Sequence, residues 1–407
     1  MNVAFQTFGC RLNRAEALDQ EARLVAEGHA IVSLDGGTHP DLIVVRGCSV
    51  TARAERDCRK AIAHLHSRFP SSRIEITGCL GTPAHDSRRL PLNFQLSAPV
   101  PLRTARAYLK VQDGCSGLCA FCIVPSFRGG PRSVPFAQIL ARAQAFLASG
   151  YREIVVTGCN LALYRDSGHG LADVLAALAA LGTDPAPRAG TGPMRTHRIR
   201  LSSLEPGVCD DAVLDAFATH PNICRFMHLS VQSGSVPILA RMNRPYTIEA
   251  VDRFCYKAAK ALGPRLALGA DIITGFPGET EADFAATRDF LARHPFANLH
   301  VFPYSERPGT SAATMDGSVQ PALRRTRAKE LEKTGRAKRE AFAQTFLGQE
   351  VEVCIERDGT GWTAEYLKCA VKDLNLLGRQ WGRRSLVKAR VVRVEGDRLI
   401  AVPSAAT

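Results

Sequence analysis

No stretch of this sequence approaches the roughly 18 consecutive apolar residues that a membrane-spanning helix needs, so no membrane partner is expected. The N-terminus, MNVAFQTFGC, has no basic segment followed by an apolar run, so no secretory signal is expected. Cysteine is sparse. The 13 cysteines among 407 residues make up about 3%, far below the roughly 8–10% of disulfide-built scaffolds. An odd total excludes complete pairing. Without a leader the expected setting is the reducing cytoplasm, where disulfides do not form and cysteines bind metal or do chemistry. Acidic residues are in deficit, 39 against 52 Lys and Arg, and the net charge of +13 favours a polyanionic partner. The 45% hydrophobic content and 22% charge belong to a globular chain, and the length suggests two to four domains.

A pattern repeats three times in the first eighty residues. VAFQTFGC ends at Cys10, DLIVVRGC at Cys48 and SSRIEITGC at Cys79, each a β-branched or apolar strand stopping at Gly-Cys. Helical stretches separate them, which predicts βαβ units and a parallel α/β sheet over residues 1–82. Ligands bind at the carboxyl edge of such a sheet. Cys10, Cys48 and Cys79 can therefore converge there although they are 38 and 31 residues apart. Residues 83–103 carry four prolines and read as a linker.

Over residues 104–320 strand and helix alternate six times, which predicts a partial (β/α)6 barrel with its site after the strands. Residues 321–345 form one helix with eight basic and three acidic residues, either a solvated face or an RNA-facing one. Residues 346–407 are closely spaced short strands, expected to close into a small antiparallel barrel of OB-like size. Seven basic residues and one acidic residue lie between Lys372 and Arg393.

The sharpest local signal is VQDGCSGLCAFCIVPSFRGG, with Cys115, Cys119 and Cys122 spaced C-x3-C-x2-C. Four-thiolate zinc and ordinary [4Fe–4S] sites need a fourth cysteine, and none follows nearby. Three thiolates on a cubane leave one iron open to S-adenosylmethionine, whose sulfonium can then be cleaved to a carbon radical.

With this loop the chain resembles the radical SAM enzymes. Its three Gly-Cys strand ends resemble the N-terminal domain of the methylthiotransferases, which holds an auxiliary [4Fe–4S] cluster. RLSSLEP, HLSVQSGS, MNRPYT, DIITGFPGET and FPYSERPGT match that family closely, and the C-terminal barrel resembles its RNA-binding TRAM domain. Among the branches, GCRLN (Gly9 to Asn13) is most like the enzymes acting on N6-threonylcarbamoyladenosine beside the tRNA anticodon. The isopentenyladenosine enzymes typically show GCQMN, and those that modify a ribosomal-protein aspartate typically show GCPKN. The basic C-terminal third supports an RNA substrate. A non-catalytic RNA-binding protein with an iron–sulfur or zinc site is the reading from another class.

The resemblance implies two [4Fe–4S] clusters, S-adenosylmethionine, a tRNA partner and an electron donor such as flavodoxin or ferredoxin. It implies that Cys115, Cys119 and Cys122 serve the radical-forming cluster, while Cys10, Cys48 and Cys79 hold the cluster whose sulfur is inserted. Cofactor contacts are expected from the Phe121 backbone, Ser203, Glu205, Gln232, Ser233 and Gly275. Arg244 is a candidate for the substrate carboxylate. Lys372, Arg379, Arg383, Arg384, Lys388 and Arg390 are candidates for tRNA phosphates. Cys159 replaces the usual Val or Gln of this family at a strand end, and packing is favoured over ligation there. Cys58, Cys209, Cys224, Cys255, Cys354 and Cys369 have no ligand-like spacing.

Overall fold

A computed structural model of the chain describes residues 1–80, 104–182, 197–206, 211–357, 359–374 and 385–404. The linker assigned to 83–103 lies outside them, as do Cys209, Arg379, Arg383 and Arg384. The N-terminal sheet contains β1 (Asn2–Thr7), β2 (Ala30–Ile31), β3 (Leu42–Gly47) and β4 (Arg73–Gly78). All are parallel, in the order β2-β1-β3-β4. The two-residue β2 has no counterpart in the sequence reading, being too short to show a periodicity.

Next come β5 (Ala107–Lys110) and a hairpin of β6 (Gln112–Asp113) with β7 (Arg132–Ser133). They are followed by β8 (Glu153–Thr157), β9 (Arg198–Leu201), β10 (Phe226–Gln232), β11 (Ala267–Thr274) and β12 (Phe296–Pro303). β5-β8-β9 and β10-β11-β12 are parallel triplets, joined by bridges between Leu204 and Leu229 and between Ile199 and Ile223. Six parallel strands thus form the expected partial barrel. Alternate residues divide its two faces. Leu109, Ile154, Val156, Ile199 and Leu201 join the helices in the main core, whereas Tyr108 and Val155 meet Ala15 of the N-terminal unit on the inner face.

That inner contact explains the Arg11–Ala26 helix, which has no sustained apolar stripe yet buries eleven residues, among them Asn13, Glu16, Asp19, Gln20 and Glu21. A helix polar all round is suited to bridging domains. Leu24 packs with Val3 and Val44 of its own sheet, while Leu18 belongs to the barrel core. Asp19 pairs with Arg142 of the barrel's helical layer.

The C-terminal strands β13 (Glu350–Arg357), β14 (Thr360–Thr363), β15 (Lys368–Val371), β16 (Leu386–Glu395) and β17 (Arg398–Pro403) close in the order β13-β14-β15-β17-β16. The expected barrel is there, but it is not wholly antiparallel: β15 and β17 run parallel. A closed ring of five strands cannot alternate direction throughout, so one pair must be parallel.

This barrel is seated on the inner strands of the larger one. Glu153 sits between Arg198 and Arg200 at 2.6 and 2.7 Å, all three fully buried. Both arginines then donate to the small barrel, Arg198 to the carbonyls of Glu352 and Trp362, and Arg200 to those of Thr363 and Ala364. The Pro321–Gln344 helix also differs from expectation. Arg324 and Arg327 are buried, the latter on Glu279 at 2.7 Å. Lys338 and Arg339 bind the carbonyls of His294 and Tyr366. Half of its eight basic residues therefore hold the fold together. Arg325, Lys329, Lys333 and Arg336 remain exposed, at spacings of one helix face.

Candidate functional site

Cys48 and Cys79 directly follow adjacent, in-register strands, and Cys10 lies three residues past the end of β1 beside them, so the parallel ladder brings them to one edge. Asn13 staples this edge, its amide donating to the carbonyls of Phe8 at 2.9 Å and Gly47 at 3.0 Å. The Ser49 hydroxyl donates to the Cys79 carbonyl at 2.7 Å. Cys10 is exposed, whereas Cys48 and Cys79 are buried. Burial and the neighbouring thiols push Cys48 up to about 11, and burial raises Cys79 as well. Thiolates here need a positive partner, which a bound cluster supplies. Cys58 stands behind Cys48 and accepts its N–H at 3.3 Å.

The second triad lies on the loop enclosed by β6 and β7. The Cys115 N–H donates to the Gly129 carbonyl, and Ala120 is stitched to Met242 and Ala312. A side chain at Gly117 would lie 3.1 Å from the Cys115 sulfur and 3.7 Å from that of Cys119. Its own N–H points at the Cys115 sulfur from 3.2 Å. The bare glycine thus gives two sulfurs a shared cradle with an N–H donor. Burial raises Cys119, and it pushes Cys122 up to about 11. The Phe121 ring meets Phe276 edge-on at 6.4 Å, anchoring the loop.

Among the described residues, His228, Asp271 and His300 bring three ligand atoms within 4.8 Å of one another. A four-thiolate zinc site would need a fourth sulfur beside each cysteine triad. With three sulfurs each, both sets fit [4Fe–4S] clusters that keep one iron open.

Several residues that the sequence reading missed join the two triads. Arg128 is 7% exposed and reaches Glu16 at 2.8 Å, Asp113 at 2.9 Å and Asn13 at 3.1 Å. It also hydrogen-bonds Cys79, opposing the upward push of burial on that thiol. Lys110 lies 3.1 Å from Glu16, and Arg46 completes the group. One buried ion cluster therefore backs both cysteine sets. Asn160 donates to Glu205 at 2.5 Å and points at the Cys115 sulfur. The available signals were the Asn of GCRLN and the Arg of SFRGG. Nothing local tells what they meet.

Arg244 does not face open space. Its guanidinium lies 2.8 Å from Glu205 and 2.8 Å from the Cys119 sulfur, with 5% of the side chain exposed. The carboxylate it meets is the chain's own, which corrects the expectation of substrate pairing. Gln232 has φ +69° at its strand end, Ser203 is exposed, and Ser233 is buried against Thr287. Gly275 has φ +69°, and a side chain there would collide with the stem of Arg324. Fold packing alone thus demands that glycine. The Cys159 thiol donates toward Asp113 at 3.5 Å, and burial raises it strongly, so it sits as a neutral donor. Lys372, Lys388 and Arg390 are exposed on the small barrel.

The barrel lumen holds a further polar group, absent from the sequence reading because its members are on three strands. His228 Nε2 donates to the Asp271 carboxylate at 2.9 Å, and His300 lies 3.4 Å from the same oxygen. Gly269 makes room for the His228 ring. The lumen floor is a stack in which Tyr366 lies 4.6 Å from both Phe226 and Trp362.

Residues 109–291 match the model of the radical SAM superfamily, and residues 2–90 match an uncharacterised protein family, UPF0004. A threonylcarbamoyladenosine tRNA methylthiotransferase MtaB of Chlamydia pneumoniae is 31% identical over 424 residues, spanning 96% of each chain. A tRNA-2-methylthio-N(6)-dimethylallyladenosine synthase of a Parafrankia species is 33% identical over 78% of this chain and 70% of that protein. Among solved structures, the radical S-adenosylmethionine methyltransferase TsrM of Kitasatospora setae shares the fold. Its TM-score is 0.54 at 14% identity, covering 77% of this chain and 75% of that one.

Proposed function

The chain belongs to the radical SAM tRNA methylthiotransferases, and on that premise we propose that it converts N6-threonylcarbamoyladenosine beside the tRNA anticodon to its 2-methylthio form. The net change replaces C2–H of the adenine by C2–SCH3. The family's cofactors are S-adenosylmethionine and [4Fe–4S] clusters. When bound, the clusters supply the electron that cleaves S-adenosylmethionine and the sulfur that is inserted, and a second S-adenosylmethionine gives the methyl group. Cys115, Cys119 and Cys122 would hold the first cluster, and Cys10, Cys48 and Cys79 the second. The donor of electrons would be a flavodoxin or ferredoxin, and the setting the cytoplasm.

The protein's own residues orient and shield this chemistry. Arg244 and Glu205 fix each other beside Cys119, while Asn160 holds Glu205 and faces Cys115. The Phe121 backbone in the cysteine loop, and Ser203 and Gln232 at the ends of β9 and β10, would meet the cofactor. Tyr366, stacked between Phe226 and Trp362, covers the inner strands on the side of the small barrel. The observation that carries this reading is the buried Arg128, which spans from the loop of one triad to Cys79 of the other.

A second reading is the same reaction on isopentenyladenosine, favoured by the Parafrankia relative. Mass analysis of tRNA nucleosides from cells lacking this protein separates the two. Loss of the 2-methylthio group from threonylcarbamoyladenosine alone supports the first. Its loss from isopentenyladenosine would replace it with the second.

A further inference from the structure

We propose that Arg11 is the residue that binds the carboxylate of the threonylcarbamoyl group and so selects the substrate. The inference rests on the substrate reading above and begins from a census of cations. Lys110, Arg128, Arg198, Arg200 and Arg244 line the inner strands or the loop between the triads, and each lies on a carboxylate of the chain. Arg11 does not. Among the described residues no carboxylate is within ion-pair distance of it. Its guanidinium donates to the Leu201 carbonyl at 3.1 Å and to the Tyr366 hydroxyl, its centre 5.3 Å from that ring, which leaves further N–H groups of the fork for a ligand. Arg14, one turn on, is exposed and turned to the Tyr108 hydroxyl at 3.3 Å.

Position and chemistry then agree. Leu201 ends β9, at the edge where a barrel of this kind places its ligands. Tyr366 forms the lumen floor, so the guanidinium stands inside the lumen, half-buried, while its backbone adjoins Cys10. In adenine, C2 and C6 both flank N1, so a substituent on N6 shares an edge with C2. A base that turns C2 to the Cys10, Cys48 and Cys79 edge must bring its N6 substituent to the same neighbourhood. The threonine carboxylate is four bonds from N6. A planar guanidinium with free N–H groups is the donor that matches it. An apolar N6 substituent would leave this half-buried charge without a counter-charge, which is costly.

The test is binding, measured by fluorescence anisotropy on the full-length, cluster-loaded protein. Four anticodon stem-loops carry, at one adenosine, the threonylcarbamoyl group, its carboxamide, the isopentenyl group, or nothing. Wild type should prefer the carboxylate over the carboxamide by about tenfold, the scale of one charge-assisted hydrogen bond. Arg11→Gln should bind the two alike, and Arg11→Lys should retain part of the preference. A full preference in Arg11→Gln overturns the proposal. So does an equal loss across all four stem-loops, because Arg11 would then only tie the N-terminal unit to Tyr366. If wild type instead favours the isopentenyl stem-loop, the substrate reading itself fails and takes this one with it.

Discussion

Arg128 and Glu16 stand 112 residues apart in the chain and meet at 2.8 Å where water does not reach. Glu16 is the hub of that meeting, with Arg46 and Lys110 on its other sides. Burial alone would raise its carboxyl, yet Lys110, Arg128 and Arg46 hold it well below the ordinary 4.5. Glu16→Gln leaves three buried cations short of a partner. It should cost about 3 kcal/mol, read from the urea midpoint of the full chain. The stabilisation is complete above the ordinary carboxylate range and is lost as pH falls toward the lowered value. The difference between wild type and Glu16→Gln should therefore be constant above about pH 5 and shrink below it. A difference that grows on acidification would refute the assignment.

Cluster content separates the triads. Anaerobically reconstituted protein should bind about eight irons, four for each set of three thiolates. Replacing Cys115, Cys119 and Cys122 by Ala should halve this. Replacing Cys10, Cys48 and Cys79 should also halve it, yet leave reductive cleavage of S-adenosylmethionine to 5′-deoxyadenosine. Methylthiolated tRNA from the second variant would contradict the division of roles.

Arg244 bears on reduction. A cation beside the Cys119 sulfur favours the more negative, reduced cluster. Arg244→Gln should shift the midpoint potential of the Cys115/Cys119/Cys122 cluster downward in redox-titrated EPR. The other cluster's signal should stay in place. An unchanged potential would mean that Arg244 only braces Glu205.

Salt dependence tests the RNA-facing surface. Each phosphate neutralised contributes about −0.9 on duplex, or −0.7 on single strands, to the slope of log affinity against log salt. The triple change Lys372→Gln, Lys388→Gln, Arg390→Gln should flatten that slope by roughly two to three units. Arg325, Lys329, Lys333 and Arg336 are a second set for the same measurement, and whichever set leaves the slope untouched does not meet the RNA. Deleting the small barrel is a poor substitute. It would strip Arg198 and Arg200 of four carbonyl acceptors, so truncation after Thr345 should destabilise the large barrel as well as weaken RNA binding.

Much of this architecture was legible. Gly-Cys at three strand ends and C-x3-C-x2-C are local patterns, and strand periodicity sufficed for six parallel strands. The rest depended on partners far along the chain. Nothing near Arg244 says that Glu205 waits for it, and nothing near Arg324 says that it fills the space Gly275 leaves. The Arg11–Ala26 helix hides its burial because two domains cover it from opposite sides. Charge counting misjudged the Pro321–Gln344 helix for the same reason, since a count along one dimension cannot distinguish a lysine in water from an arginine under a loop.

The two triads differ in how far apart their members lie, and this has a consequence for maturation. Cys115, Cys119 and Cys122 span eight residues, so a short segment can gather iron before the chain has folded. Cys10, Cys48 and Cys79 become neighbours only once β1, β3 and β4 are paired, after two long loops have closed at an entropic cost. Metal delivery should therefore be ordered, with the N-terminal site the later to fill and the earlier to empty. In a denaturant series the iron of that site should leave together with the parallel sheet, while the compact loop retains its own.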